Sequence, residues 1–288
     1  MVSDRPSRAP TRSAQDPAAA TEDEGAGEET YDYERLHWTE WGAASASPVL
    51  LLHGWGSSAE NMDAIAAALA SAYHVFNVDL PGHGFSPAPE APLGVPEHAA
   101  LLARLIDREI GGPVAVVGHS NGGRIALYMA SHEPYRRRIR KLVLVSPSGV
   151  TPHRSAGYHL RRAVAGTLKA PFALLPGRLR EFGLDWLRHS LLWRALGSAD
   201  YRALEGAMRE TFVRTVTYHL DERVRGIEVP TLLFWGTRDT AVSRRQMQFL
   251  ETTIPDAGLI VLENAGHYGY LDDMATFLAA TRHFLDHS

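Results

Sequence analysis

Residues 114–130 read VAVVGHSNGGRIALYMA. An apolar run ends in a serine flanked by three glycines, and an amphipathic stretch of helical period follows. A strand covered on both faces, a sharp turn and a helix explain that order. Ser120 sits at the turn, and GHSNG (118–122) fits G-x-S-x-G, the pattern of a serine held at a strained strand-to-helix elbow. Such an elbow needs small neighbours, which Gly118 and Gly122 provide. On its own the match is served equally well by a glycine-rich turn, in a chain with 25 Gly. A serine hydroxyl attacks a carbonyl only when a base removes its proton and donors receive the oxyanion. The rest of the chain decides between the two readings.

Strand-like and helical segments alternate outward from this stretch. RLHWTEWG (35–42), PVLLLHG (48–54), HVFNVDLPGHG (74–84), PVAVVGHS (113–120) and KLVLVSPSG (141–149) read as strands. Between them, SSAENMDAIAAALAS (57–71), with a serine/glutamate capping pattern, PEHAALLARLIDREI (96–110) and NGGRIALYMASH (121–132) read as helices. This alternation predicts an α/β fold with a doubly wound, mostly parallel sheet. From Thr151 to about Val224 no strand-like run occurs. Three or so helices, separated by Pro and Gly, are expected there instead. Alternation resumes with TLLFWG (231–236), RRQMQFLETTI (244–254), GLIVLENAG (258–266) and LDDMATFLAATRHFL (271–285). The predicted organisation is therefore a core of residues 31–150 and 225–288 with an inserted all-helical lid, 151–224. The lid would lie over the sheet edge where open α/β folds bind ligands.

Composition narrows the function classes. The chain has 288 residues, 45 % of them apolar and 22 % charged, the balance of a globular domain with a real core. A net charge of -4 argues against nucleic acid as a partner. There is no cysteine, hence no disulfide, thiol nucleophile or thiolate metal site. No apolar run approaches the roughly 18 residues a membrane span needs. Residues 1–30 carry no aromatic or branched aliphatic residue apart from Val2, and read as a disordered tail without the apolar centre of a secretory signal. A cytoplasmic address is the expectation, with no membrane partner. The oligomeric state is not readable.

The chemistry Ser120 needs has candidates at the same sheet edge. His267 follows the last strand in a small-residue loop, and it is the candidate base among 14 His. Asp239 lies three residues beyond TLLFWG and is the candidate acid to hold the imidazole. The competing view makes it a solvated loop carboxylate paired with Arg238. SPSG (146–149) offers no acid. Two backbone N–H donors are needed for the oxyanion: one from Asn121, after the nucleophile, and one from HGWG (53–56), through the Trp55 amide. No metal or organic cofactor is required, and the histidines show no metal-ligand spacing.

LLLHGWG, DLPGHGFS (79–86), VVGHSNGG, FWGTRD and NAGHYGYLD together resemble the α/β-hydrolase superfamily, of the kind with a helical lid between its sixth and seventh strands. The likeness runs from about Leu36 to the C-terminus, with all five motifs in the family's order. It implies Ser120 as nucleophile, His267 as base, Asp239 as acid, and Trp55 and Asn121 as oxyanion-hole donors. It also implies that His83 and Ser86 are architectural. Members commonly begin with a β-hairpin, whose first strand would here fall in EDEGAGEET. Asn121 stands where methionine or glutamine is usual, although the role belongs to the backbone. A serine nucleophile argues against the dehalogenases and epoxide hydrolases of the superfamily.

The implied activity is hydrolysis of an ester, thioester, lactone or carbon–carbon bond in a small to medium carbonyl substrate. A cofactor-free perhydrolase, a lyase, or a non-catalytic ligand-binding receptor remain alternatives, because the fold does not fix the reaction. Residues 151–220 hold 11 Arg/Lys and 5 Asp/Glu, a net of six positive charges in a chain that totals -4. That asymmetry either favours anionic substrates or marks a solvated helical face. Phe172, Leu174, Leu175, Phe182, Trp186 and Trp193 either line an acyl pocket or form the lid's own core.

Overall fold

The computed structural model describes residues 31–152 and 204–287. Seven strands form one sheet: β1 (His37–Trp41), β2 (Ser47–Leu52), β3 (Tyr73–Asp79), β4 (Val114–His119), β5 (Ile139–Val145), β6 (Thr231–Gly236) and β7 (Ala257–Leu262). Their spatial order is β1-β3-β2-β4-β5-β6-β7. β1 runs antiparallel to β3, and every other neighbour is parallel. The described helices are α1 (Asp63–Leu69), α2 (Val95–Leu105), α3 (Asn121–Ser131), α4 (Gly206–Val216), α5 (Arg244–Thr253), α6 (Gly269–Asp272) and α7 (Met274–Asp286).

The continuous apolar strands are explained by two buried faces. Along β4, Val114 and Val116 pack into one cluster with Ile125 and Met129 of α3 and Leu102 of α2. Ala115 and Val117 point the other way, into a cluster with Ile65 and Leu69 of α1 and Phe277 of α7. β2 and β5 alternate in the same manner, with Leu50 and Leu142 on the first face and Leu51 and Val143 on the second. Each of the Val, Leu, Ile, Met and Phe side chains among them contributes about 1.5–3 kcal/mol on burial.

The sheet order reverses between β2 and β4, the switch point at which open α/β sheets bind ligands. Leu52 stands opposite Gly118 there, so His53-Gly54-Trp55 leaves the sheet beside His119-Ser120-Asn121. β6 and β7 end at the same edge, with Gly236 opposite Leu262. All the segments that carry candidate site residues therefore emerge together.

Several boundaries differ from the sequence reading. The capping pattern in SSAENMD, Ser57 with Glu60, does not operate: the turn starts one residue later with Ser58 at its N-cap making no side-chain bond, and the Ser57 hydroxyl accepts from Asn61 Nδ2 at 2.9 Å. Instead the Ala59 amide donates to Asp79 Oδ1 at 2.7 Å. Asp79 Oδ2 accepts from the Phe85 amide at 3.1 Å and pairs with His37 Nδ1 at 2.8 Å. One buried carboxylate thus ties β1, the loop after β2 and the 80–86 loop together, and β3 ends there. The Ser86 hydroxyl extends the tie, donating to the Asp79 carbonyl at 2.7 Å and accepting from the His37 amide at 2.8 Å. The C-terminal helix is broken at Asp273, whose side chain caps α7 by accepting from the Thr276 amide at 3.1 Å. Counted along this chain, the inserted block lies between β5 and β6, and β1 is the edge strand.

Of the expected helical block, residues 153–203 lie outside the described residues, as do the six apolar lid positions and the tail of residues 1–30. The described part of the block contains α4. Among the described residues no helix is long and apolar enough to cross a membrane.

Asp79→Asn removes half of the Asp79 tie and leaves buried donors competing for one oxygen. The expected loss is about 1–3 kcal/mol of unfolding free energy, read by urea denaturation. An unchanged midpoint would contradict that role for the carboxylate.

Candidate active site

Ser120 has φ 49° and ψ -106°, a left-handed backbone that side chains rarely adopt. Such strain costs on the order of 1–3 kcal/mol and persists only where the surroundings over-determine it. Here they do. The Ser120 amide donates to the Val145 carbonyl at 3.1 Å, and the Ser120 carbonyl accepts from Arg124 N, Ser148 N and Ser148 Oγ, each at 3.0 Å. The Gly122 amide donates to the His53 carbonyl at 3.1 Å. Side chains at the flanking glycines would not fit. A Cβ at Gly122 would run into the Leu52 carbonyl oxygen, and one at Gly118 would stand 2.9 Å from the Gly123 backbone.

Asp239 and His267 meet. Asp239 Oδ2 lies 3.0 Å from His267 Nδ1, while Oδ1 accepts from the amides of Ala241 at 2.7 Å and Val242 at 3.0 Å. The Asp239 side chain is 0 % exposed, and that of His267 is 22 % exposed. The solvated-carboxylate reading therefore fails. Arg238 turns instead to Asn264 Oδ1, at 2.8 Å. Burial alone would raise the Asp239 pKa, but hydrogen bonds from His267 and the Val242 amide outweigh it and hold the carboxyl below its ordinary value. An ionised Asp239 only accepts, so the His267 Nδ1 that faces it carries a proton.

The loop after β2 is pinned beside the serine. A Cβ on Gly54 would stand 3.2 Å from Ser120 Cβ and 2.8 Å from His119 Nδ1, so glycine permits the approach. His53 fixes this loop from below. The Leu80 amide donates to its Nε2 at 3.0 Å, which puts its proton on Nδ1, and Nδ1 donates to the Gly54 carbonyl at 2.7 Å. Burial, reinforced by the nearby His83, lowers the His53 pKa and keeps the ring neutral. The Trp55 ring rests between His83 (4.9 Å) and Phe212 of α4 (5.1 Å), centroid to centroid. Asn121 is the first residue of α3, where an amide has no acceptor within the helix. Among the described residues, no three His, Cys, Asp or Glu side chains gather as a metal site.

A family model described as the alpha/beta hydrolase fold matches residues 47–274. The chain belongs to the alpha/beta hydrolase family. It is 28 % identical over 263 residues to an uncharacterised protein of Mycobacterium tuberculosis, covering 85 % of this chain and 76 % of that one. It is also 28 % identical over 248 residues to a pimeloyl-[acyl-carrier protein] methyl ester esterase of Neisseria meningitidis serogroup B, covering 83 % and 92 %. A hydrolase from Pseudomonas aeruginosa superposes with a TM-score of 0.65 at 24 % identity, over 87 % of this chain and 94 % of that one. That last likeness concerns the fold alone.

In this alpha/beta hydrolase the variable position of the elbow motif does more than its place in the sequence indicates. His119 is buried, and its Nε2 donates to the His267 carbonyl at 3.0 Å. Its ring lies 4.8 Å from the His267 ring and 4.7 Å from Tyr268. The residue beside the serine thus grips the loop that carries the candidate base. Burial, then the adjacent His267, push its pKa down to about 3.

That depression gives the pH dependence its sign. Folded His119 binds a proton only near pH 3, whereas an unfolded histidine binds one near pH 6.5. The folded state therefore holds fewer protons between those values. The stability conferred is complete above about pH 6.5 and falls as pH drops below it, by up to about 1.4 kcal/mol per pH unit for one histidine. His119→Gln is expected to flatten the slope of unfolding free energy between pH 4.5 and 6.5, measured by urea titration. Equal slopes in variant and wild type would contradict the assignment.

Proposed function

We propose that this alpha/beta hydrolase is a serine hydrolase that cleaves an ester, thioester, lactone or carbon–carbon bond of a small to medium carbonyl substrate through an acyl-enzyme. The observation that carries the reading is the buried Asp239 carboxylate at 3.0 Å from His267 Nδ1, at the sheet edge that also presents the strained Ser120. His267 Nε2 takes the Ser120 proton as Oγ attacks the carbonyl, and the ionised Asp239 stabilises the imidazolium. The amides of Trp55 and Asn121 receive the oxyanion, each contributing a few kcal/mol. The leaving group takes its proton from His267. Water, deprotonated by the same ring, then releases the acyl group and restores the serine. The esterase name of the Neisseria relative supports the ester class.

Residues 31–150 and 225–288 form the hydrolase core in this proposal, and 151–224 a lid over the edge. Helix α4 supports that placement, since Phe212 packs on Trp55 and Thr215 accepts a hydrogen bond from Arg124 of α3.

Short 4-nitrophenyl esters provide the test. Ser120→Ala is expected to abolish their hydrolysis, and Asp239→Asn to lower kcat by about 10³–10⁴, through loss of the correct imidazole tautomer. Hydrolysis that survives Ser120→Ala in correctly folded protein would overturn the proposal.

A further inference from the structure

Arg124 follows Ser120 by four residues on α3, one helical turn or roughly 6 Å along the axis. Its side chain is buried, with 6 % exposed. Nη1 donates to the Thr215 carbonyl of α4, and Nε meets no acceptor. The Thr215 hydroxyl, fully buried, is also without a partner. Among the described residues no carboxylate pairs with this guanidinium. Burial lowers its pKa to about 10, which leaves it charged at neutral pH. Buried charges are costly unless paired.

The same chain shows what this edge of an arginine does when an acid is at hand. Arg138 grips Asp107 with two parallel bonds, Nε to Oδ1 at 2.7 Å and Nη2 to Oδ2 at 2.5 Å. In Arg124, Thr215 takes the opposite nitrogen, Nη1, and the edge that Arg138 offers to its carboxylate is left without an acceptor at Nε. The stem is seated by close packing. Gly149 has φ +111°, and a Cβ there would stand 3.1 Å from Arg124 Cγ. Helix α4 contacts both the loop after β2, through Phe212 on Trp55, and α3, through Thr215 on Arg124.

We infer that the substrate carries a carboxylate in addition to the carbonyl that reacts, and that Arg124 is its counter-charge, with the Thr215 hydroxyl as an accompanying donor. The inference rests on the serine-hydrolase reading and narrows its substrate class. The net positive charge of residues 151–220 has the same polarity.

Full-length protein is assayed with the mono-4-nitrophenyl esters of succinic, glutaric and adipic acids, each beside a neutral alkanoyl ester of matching length. Wild type is expected to prefer at least one acid-bearing ester by tenfold or more in kcat/KM. Arg124→Gln is expected to lower that ratio at least tenfold. Arg124→Lys, which keeps the charge but not the fork, is expected to fall between them and serves if Arg124→Gln does not fold. A wild-type ratio near one across the series, or a ratio unchanged by the folded variants, would overturn the inference. A fluorophosphonate probe separates the two levels. Labelling of Ser120 with a ratio near one overturns the carboxylate inference alone, whereas folded protein that neither labels nor hydrolyses overturns the serine-hydrolase reading and this inference with it.

Discussion

The close approach of β2 to the start of α3 is the contact on which the edge of this molecule depends. Gly122 has no room for a side chain against the Leu52 and His53 carbonyls, and its amide is bonded to His53. Leu52 opposite Gly118 sets the register. Together these bring the HGW turn against the serine and force Ser120 into its left-handed backbone. A larger residue at Gly122 would push α3 away from the sheet, opening the gap between the two amides proposed to receive the oxyanion. The dense packing of the parallel core therefore works as a device for positioning N–H groups.

Around that contact, electrostatics divides the ionisable groups into two sets. His53 and His119 are kept neutral by burial, and each donates one N–H to a backbone carbonyl of a site loop. They act as structural donors that carry no charge near the candidate site. Asp239 is buried too, yet three donors keep it ionised, and it faces His267, whose side chain is partly exposed. Two kinds of histidine environment thus arise within a few ångströms, and the proposed mechanism gives chemically identical rings different work.

Much of this was legible in the chain. VAVV and LLLHG could be read as buried strands because both their faces pack, which leaves a continuous apolar run in place of alternation. Ser120, Asp239 and His267 could be read because each follows such a run at the same edge. What escaped the reading were contacts between residues far apart in sequence. Asp79 caps the turn before α1 from 20 residues away, so the local serine/glutamate pattern misled. Arg124 meets Thr215 across 91 residues, and His119 meets His267 across 148. Nothing local distinguishes those side chains from surface ones. Asp273 could have been read as the cap that breaks the last helix, but the apolar period running through it masked the signal.

The central claim is that Ser120 is acylated during turnover. The direct measurement is rapid acid quench of wild-type protein with an excess of an activated short-chain ester, followed by peptide mass spectrometry. A mass increase equal to one acyl group is expected on the peptide that contains Ser120, formed within the first turnover and absent from Ser120→Ala. Turnover with no adduct, or with the adduct on another residue, would contradict it.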